Sequence, residues 1–226
     1  MLILRFLTIL LALLAACALS AELESQKRFY LLRVDRANQR ISLFDPARKR
    51  VPFLVEYKDP TGQTVRRKLD SLPVLTKTVR FMAPEGPKIP NDPYGKYCES
   101  PPADGKNGMY YKVGPIEDVP NGSRSFGFFK IDITGKPADI HGRTGLLLHG
   151  GGNQLADPLA DFQGWQCTHG CIKFQNAHLR ALVKVLKSLP PNTDVRLIID
   201  GGKCKLNDIT AETYRWEHGE WLMVDG

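Results

Sequence analysis

Helical periodicity is convincing at only one place in this sequence, and this limits the fold more than any other feature. Residues 176–187 carry an apolar helical face, with Asn176 as the expected N-cap and Pro190-Pro191 as the expected stop. The apolar positions are Leu179, Leu182, Val183, Val185 and Leu186. Elsewhere the apolar residues form short runs between turn signals, which is typical of strands. The sequence therefore predicts a mainly β fold with one main helix, of the α+β class.

The strand-like runs can be placed from the turns between them. Ala37-Asn38-Gln39 and Asp59-Pro60-Thr61-Gly62 indicate two hairpins in the first third of the chain. A further hairpin around His218-Gly219, with a short helix before it, is expected in the tail from residue 207. Strands are predicted at residues 29–34, 40–44, 51–57, 64–69, 75–82, 109–113, 126–133, 146–148 and 195–199.

The chain divides into a targeting segment and one domain. Residues 1–21 combine Arg5, an apolar stretch and a small-residue cleavage site, which predicts a signal peptide. Residues 22–226 are long enough for a single domain with a real core. Residues 83–108 form a Pro- and Gly-rich insertion, either a binding loop or a disordered segment, and residues 201–226 form a C-terminal appendage.

The targeting segment predicts export to the periplasm or cell envelope. The apolar stretch is short for a membrane-spanning helix and is followed at once by polar residues. Leu14-Ala15-Ala16-Cys17 also matches a lipobox, so membrane attachment through a lipidated Cys17 is a second possibility.

The net charge of +7 is spread along the chain. No aromatic-basic stripe accompanies it, so a nucleic-acid groove is not expected. Many basic residues fall in the first third, where a solvated face is the expected explanation, and a basic surface would also favour an anionic polymer such as cell wall. These residues are Arg36, Arg40, Arg48, Lys49, Arg50, Arg66, Arg67 and Lys68.

Cys171 is the candidate nucleophile of this chain. It ends the run Thr168-His169-Gly170-Cys171, and a second histidine, His149, follows the apolar run 146–148. A cysteine reacts as its thiolate, and a neighbouring histidine can take the proton. Gly170 allows the backbone to pass close to a reacting atom. This pattern favours nucleophilic catalysis over a buried cysteine that has two histidines near it by chance.

These residues resemble the signature of the L,D-transpeptidase family of the YkuD type, which has a histidine, a spacer, and then Ser/Thr-His-Gly-Cys before an apolar residue. Eighteen residues separate His149 from Thr168, and Lys173 stands where Asn or Arg is commoner. The resemblance covers residues 28–200 and implies an L,D-transpeptidase-like β-sandwich or barrel. It also implies that Cys171 attacks peptidoglycan stem peptides, forms a thioester and makes 3–3 crosslinks, with no cofactor.

The resemblance and the residue chemistry together suggest roles around the site. His149 is the expected general base, with His169 as an equal candidate and His141 of Ile140-His141-Gly142 as a rival. Backbone amides near Gly170 and Cys171 are the expected oxyanion donors. His178 and His218 are interpreted as surface residues. The expected substrate-binding residues are Thr168, Gly170, Lys173, Gly150 and Arg143, the last as a planar fork for a carboxylate.

Three other functions remain open from the sequence. Transfer of the same thioester to water would make the protein an L,D-carboxypeptidase. The segment 142–151 resembles secreted toxic relatives of the L,D-transpeptidases. A hydrolase that acts on the cell wall is therefore a second alternative. A non-catalytic wall-binding module is the third alternative.

The remaining cysteines suggest a disulfide rather than a metal site. The spacing of Cys167 and Cys171 lacks the paired pattern of common zinc sites, so no metal is expected. By exclusion, Cys98 is expected to pair with Cys204 in an oxidising compartment. Cys167 would then be a buried free thiol or a redox partner for Cys171, and other pairings remain open.

Overall fold

The structure is a computed structural model that describes residues 29–76, 101–140, 142–165, 168, 170–200, 214–217 and 220–223. Within these residues the fold is mainly β, with a curled sheet and two helices, of which one is the main helix. The helices are α1 (Lys136–Ile140) and α2 (Asn176–Ser188). The strands are β1 (Tyr30–Asp35), β2 (Arg40–Phe44), β3 (Arg50–Val51), β4 (Phe53–Lys58), β5 (Thr64–Leu69), β6 (Leu72–Pro73), β7 (Tyr111–Ser123), β8 (Gly127–Thr134), β9 (Leu147–His149), β10 (Ile172–Lys173), β11 (Val195–Ile199), β12 (Tyr214–Glu217) and β13 (Glu220–Met223).

The largest sheet contains nine strands in the order β10-β9-β8-β7-β11-β1-β2-β3, with β6 also paired to β2. Two neighbouring pairs are parallel, β1 with β11 and β9 with β10, and the other pairs are antiparallel. Its buried face alternates with period two, as expected for strands that cover one core. The core residues of this sheet include Leu32, Val34, Ile41, Leu43, Ile131, Ile133, Leu148, Leu197 and Ile199.

A short segment joins β10, at one end of this sheet, to β2 near the other end. Its residues Leu72 and Pro73 pair with β2, and Leu75, directly after them, forms a bridge with Lys173 of β10. The Leu75 amide donates to the Lys173 carbonyl at 2.8 Å, and the Lys173 amide donates to the Leu75 carbonyl at 2.9 Å. The sheet therefore curls until β2 and β10 are linked through residues 72–75, which we call the closing segment.

The hairpin of β4 and β5 forms a separate two-stranded sheet. Phe53, Val55 and Tyr57 of β4 are buried and alternate with exposed residues. Helix α2 packs against β4 on one side and against β8 and β9 on the other. The apolar stripe predicted for α2 is thus sandwiched between the hairpin and the main sheet, where Leu179, Leu182 and Val183 are buried.

Two predicted strands have different bounds in the structure because of the way the sheet accommodates prolines and a glycine. Pro52 divides the expected strand 51–57 into β3 and β4, because it has no amide for a ladder hydrogen bond. Strand β7 runs far beyond the expected 109–113, because Gly114-Pro115 and Pro120 fall within its two register shifts instead of ending it. Strand β6 and helix α1 were not predicted.

Other predictions are confirmed or lie outside the described residues. Strands β2, β5 and β11 have the predicted bounds, and β12 and β13 form the predicted tail hairpin. The signal peptide, Cys17 and most of the insertion 83–108 lie outside the described residues, as do Cys98, Cys167 and Cys204. At the end of the insertion, Ala103 pairs with Ile199 of β11, and residues 106–108 form a 3₁₀ turn.

Candidate active site at Cys171

Two neighbouring parallel strands bring the signature residues to one part of the sheet. In this pairing Lys173 of β10 lies opposite His149 of β9, and Ile172 lies opposite Leu148. Cys171 therefore precedes β10 beside Leu147. From strand spacing and rise, the Cα atoms of Cys171 and His149 are about 8 Å apart. The 18-residue spacer is thus folded out as a loop between two adjacent strands.

The Cys171 sulfur lies against the segment that leads into β9. Its thiol donates to the Gly145 carbonyl at 3.7 Å. Burial raises the pKa of the thiol above its ordinary value of 9.0, while the Leu147 amide and the positive charge of Arg143 act to lower it. Burial has the largest effect, so the side chain is a thiol at neutral pH. Arg143 is itself buried, and its guanidinium is the cation close enough to favour a thiolate.

Thr168 and Gly170 determine the backbone path of the turn before Cys171. The Thr168 hydroxyl donates to the Cys171 carbonyl at 2.7 Å, so Thr168 orients the backbone around the nucleophile. Gly170 is buried and has a φ of 96°, a conformation that residues with a Cβ rarely adopt. A side chain at position 170 would therefore disturb the path of the chain into Cys171.

His149 lies in a dry, mostly backbone environment at the end of β9. Its Nδ1 is 2.7 Å from the Gly150 carbonyl, and the Phe126 ring packs edge-on against it at 5.5 Å. Burial lowers its pKa from 6.5 to about 4; the Lys173 charge also lowers it, and the carbonyls of Gly150 and Ser125 oppose the shift. The ring is therefore neutral at pH 7 and able to accept a proton.

Lys173 is a buried cation at the centre of this region. Its side chain is only 1% exposed, and its Nζ donates to the Gly151 carbonyl. Its charge reaches the His149 ring. In this arrangement the ammonium group binds the protein's own backbone, whereas the sequence interpretation gave it to a substrate carboxylate.

Three amide side chains, those of Asn176, Gln175 and Gln163, connect the start of α2 to the loop after His149. The Asn176 side chain accepts from the Gly151 amide at 3.1 Å and donates to the carbonyls of Pro158 and Ala160. Gln163 accepts from the Asn176 backbone amide at 2.8 Å. Gln175 exchanges two hydrogen bonds of 3.1 Å with the backbone of Gly164.

This amide cluster corrects one sequence prediction and adds residues that the sequence interpretation missed. Asn176 is the first residue of α2 and not its N-cap; Gln175 precedes the helix and makes no side-chain cap bond. The Asn176 amide instead bonds three backbone groups of the 150–160 loop, of which those of Gly151 and Pro158 belong to buried residues and that of Ala160 to a partly buried one. The sequence signal that could have indicated this amide cluster is the pair of amide residues in Phe174-Gln175-Asn176, between a strand and a helix.

The other histidines fall into two groups. His169, His141 and His218 lie outside the described residues, as does Cys167. His178 was expected at the surface, but it is 6% exposed, because it lies on the face of α2 covered by the β4–β5 hairpin and Phe162. The described part of the chain contains no group of three or more potential metal ligands, and no helix in it has the length and apolarity needed to cross a membrane.

No protein-family model matches this chain, and no curated protein matches it.

Proposed function

We propose that the protein is a cysteine-dependent L,D-transpeptidase that acts on peptidoglycan stem peptides through a thioester on Cys171. One observation supports this more than any other. The partly buried thiol of Cys171 lies beside Leu147 of β9 and within the electrostatic influence of Arg143. The neutral His149 ring lies two residues after Leu147 on β9. This combination brings a nucleophile, a proton acceptor and a cation together in two adjacent strands and the segment that leads into them.

In the first step the Cys171 sulfur attacks the carbonyl carbon after the third, diamino acid residue of a tetrapeptide stem. A C–S bond forms, and the C–N bond to the terminal D-Ala breaks. The thiol proton passes through the histidine base to the leaving amine, so that D-Ala departs with a neutral amino group before equilibrating with water. Backbone amides near Gly170 and Cys171 are suited to stabilise the developing oxyanion.

In the second step an acceptor attacks the thioester carbonyl. An amine of another stem forms a new C–N bond and gives a 3–3 crosslink, whereas water gives a tripeptide stem and makes the enzyme an L,D-carboxypeptidase. In both cases the C–S bond breaks and the sulfur regains a proton from the histidine. An amine is the proposed acceptor, because the sulfur is partly buried and a site that limits access of water favours transfer over hydrolysis.

His149 fits the base role through its tautomer. A neutral ring that donates its Nδ1 proton to the Gly150 carbonyl keeps its lone pair on Nε2, the nitrogen that would take the thiol proton. The ring is held against carbonyls in the resting protein, and catalytic hydrogen bonds often tighten only when substrate is bound. Arg143 is the proposed group for a substrate carboxylate, while Lys173 holds the Gly151 carbonyl and Thr168 holds the Cys171 carbonyl.

The direct test is incubation of the purified protein with disaccharide tetrapeptides, followed by mass spectrometry. We expect loss of D-Ala and the appearance of 3–3 crosslinked dimers with the wild-type protein, and neither product with Cys171→Ala. A trapped acyl-enzyme should increase the mass of the wild-type protein by the mass of the disaccharide tetrapeptide minus that of D-Ala, which equals the disaccharide tripeptide less one water. Unchanged tetrapeptides beside an active control enzyme would contradict the proposal.

The same experiment separates the alternatives. Tripeptide without dimers indicates a carboxypeptidase. Cleavage elsewhere in the wall, with toxicity on periplasmic expression that Cys171→Ala abolishes, indicates a wall hydrolase. Binding to sacculi that survives Cys171→Ala, without turnover by the wild-type protein, indicates a binding module.

A further inference from the structure

A row of basic and apolar side chains crosses the outer face of the main sheet. The strand register aligns Lys112 of β7, Arg196 of β11, Leu31 of β1, Phe44 of β2 and Arg50 of β3 as direct neighbours. Five strands at the usual spacing make this row about 19 Å long. The core residues of these strands alternate with the members of the row, so the row faces away from the core. We call it the basic row.

Two arginines lie over one aromatic ring beside the basic row. The guanidinium carbons of Arg48 and Arg196 are 4.3 Å and 4.2 Å from the centre of the Phe29 ring, and this ring is only 3% exposed. Arg196 pairs with Asp194 at 2.8 Å, but Arg48 forms no ion pair within the described part of the chain. Stacking uses the flat face of a guanidinium, so the N–H groups at the edge of the exposed Arg48 remain available to an anion.

The basic row has an apolar centre between charged ends. Leu31 and Phe44 are partly exposed, and the exposed side chains of Lys112 and Arg50 lie at the two ends. Arg50 lies over the Phe44 ring at 5.6 Å, and neither Arg50 nor Lys112 has an ion-pair partner among the described residues. Exposed apolar residues combined with Lys and Arg are typical of surfaces that lie in the interface of a membrane.

The described chain also begins on this face. Phe29 is the first described residue, and its ring is the one that Arg48 and Arg196 cover. Residues 18–28 separate it from Cys17, the residue that the lipobox match would lipidate, and they span at most roughly 40 Å. A lipid on Cys17 would therefore keep the basic row within reach of the membrane surface.

We propose that the basic row is a docking surface for an anionic phospholipid membrane. The cations at its ends approach the lipid phosphates, while Leu31 and Phe44 contact the boundary between headgroups and acyl chains. This combination of charge and apolar surface favours a bilayer over a soluble anionic polymer, which offers no apolar layer. The candidate active site is carried by β9 and β10, which are not strands of the row, so the docking does not depend on the proposed transpeptidase activity.

Vesicle flotation of the full chain tests this docking through the ratio of two partition coefficients, with and without about one third phosphatidylglycerol in phosphatidylcholine. We expect a ratio on the order of 100 in about 0.1 M salt, since each unpaired cation contributes about fivefold. The ratio should approach one in about 1 M salt, where the Debye length is about 3 Å. The apolar stretch of residues 6–19 would bind both vesicles alike, so its contribution cancels. A ratio below about ten in about 0.1 M salt overturns the proposal.

Two double variants of equal net charge locate the contact. Arg50→Gln with Lys112→Gln should lower the ratio on the order of twentyfold, because two cations of the row are lost. Lys68→Gln with Lys184→Gln, at exposed positions of β5 and α2, should change it by less than about twofold. Circular dichroism shows that each variant is folded. Equal losses in both double variants would mean that net charge and not the basic row attracts the membrane, which overturns the proposal.

A soluble polyanion distinguishes the lipid surface from an anionic polymer. Leu31→Ser should weaken binding to the phosphatidylglycerol vesicles, because it removes an apolar contact with the bilayer, and leave binding to poly-glutamate unchanged. Poly-glutamate binding that requires Arg50 and Lys112, without any effect of phosphatidylglycerol, would assign the basic row to an anionic polymer instead.

Discussion

At the scale of single residues, the proposed nucleophile and base are both uncharged at neutral pH. Burial raises the pKa of Cys171 and lowers that of His149 to about 4. The resting pair is a thiol and an imidazole, unlike the thiolate–imidazolium pair of cysteine enzymes whose nucleophile has a lowered pKa. The thiol must then lose its proton as it attacks the substrate. Because the resting sulfur is protonated, it is also less easily oxidised between turnovers.

The pH dependence of kcat/KM should reveal which histidine is the base. If it is His149, activity should stay level from pH 7 to about 5 and fall tenfold per pH unit below about 4, because the ring must be neutral to accept a proton. A stopped assay of D-Ala release at several pH values measures this. An acid limb near 6.5 would instead identify a solvated histidine, and His149 would not be the base.

Substitution of the histidines gives an independent measure. We expect His149→Ala to lower kcat by a factor of about 10²–10⁴, the usual contribution of general acid–base catalysis. His169→Ala should be similarly severe and His141→Ala mild. The measurement is the rate of D-Ala release, with circular dichroism to show that each variant is folded. Loss of activity in His141→Ala, with activity kept in His149→Ala, would reverse the assignment.

At the scale of elements, the start of α2 supports the loop that follows β9. Asn176→Ala should lower the free energy of unfolding by about 3 kcal/mol, since it leaves a buried amide and two carbonyls without their partners. Asn153→Ala is the control, because Asn153 is exposed and its side chain bonds only the Ser125 hydroxyl. It should change stability by less than about 0.5 kcal/mol. Urea denaturation measures both, and equal effects would refute the special role of Asn176.

The sequence predicted elements best where local signals were sufficient. The Asp59-Pro60-Thr61-Gly62 turn and the alternation around it gave β5 its correct bounds, and Pro190-Pro191 gave the end of α2 to within a residue. The sequence prediction failed where the extent of a strand depends on the strand that pairs with it. Pro115 and Pro120 look like strand breakers in isolation, but β8 accommodates them at register shifts of β7.

The candidate site was predictable in its motif but not in its surroundings. Cys171, Thr168 and His149 could be named from their spacing. The burial of Lys173 and His178 could not, because each is covered by segments far away in the chain: Lys173 by Leu75 and Gly151, His178 by Phe162 and the β4–β5 hairpin. Arg67 similarly belonged to a run of basic residues that was interpreted as a solvated face, and only strand alternation separates it from Arg66.

At the scale of the whole molecule, two buried histidines make stability depend on pH. The pKa values of His149 and His178 are lowered from 6.5 to about 4 and about 3, mainly by burial. Below pH 6.5 the unfolded chain binds protons at both positions while the folded chain does not, so stability falls on acidification. Each histidine contributes a slope of up to about 1.4 kcal/mol per pH unit.

Urea denaturation between pH 6.5 and 5 should show this loss of stability. This window lies above the ordinary pKa values of carboxyl groups, so the histidines dominate it. The slope should fall to about half in His178→Phe, which removes one of the two groups, and remain unchanged in Lys68→Met. A wild-type stability that is constant across this window would show that the two rings are not held neutral.

The sheet order also determines when the fold can form. Strand β1 lies between β2, its neighbour in the chain, and β11, which comes near the end of the described sheet; Arg33 and Asp200, 167 residues apart, are joined by a hydrogen bond. Pairing between strands that are distant in sequence slows folding, because the entropy of closing a long loop is lost before the stabilising contacts form. An N-terminal fragment that lacks β11 would leave β1 with an open edge. Strand β1 can therefore complete its pairing only after β11 has been synthesised, and until then its open edge can pair with other chains.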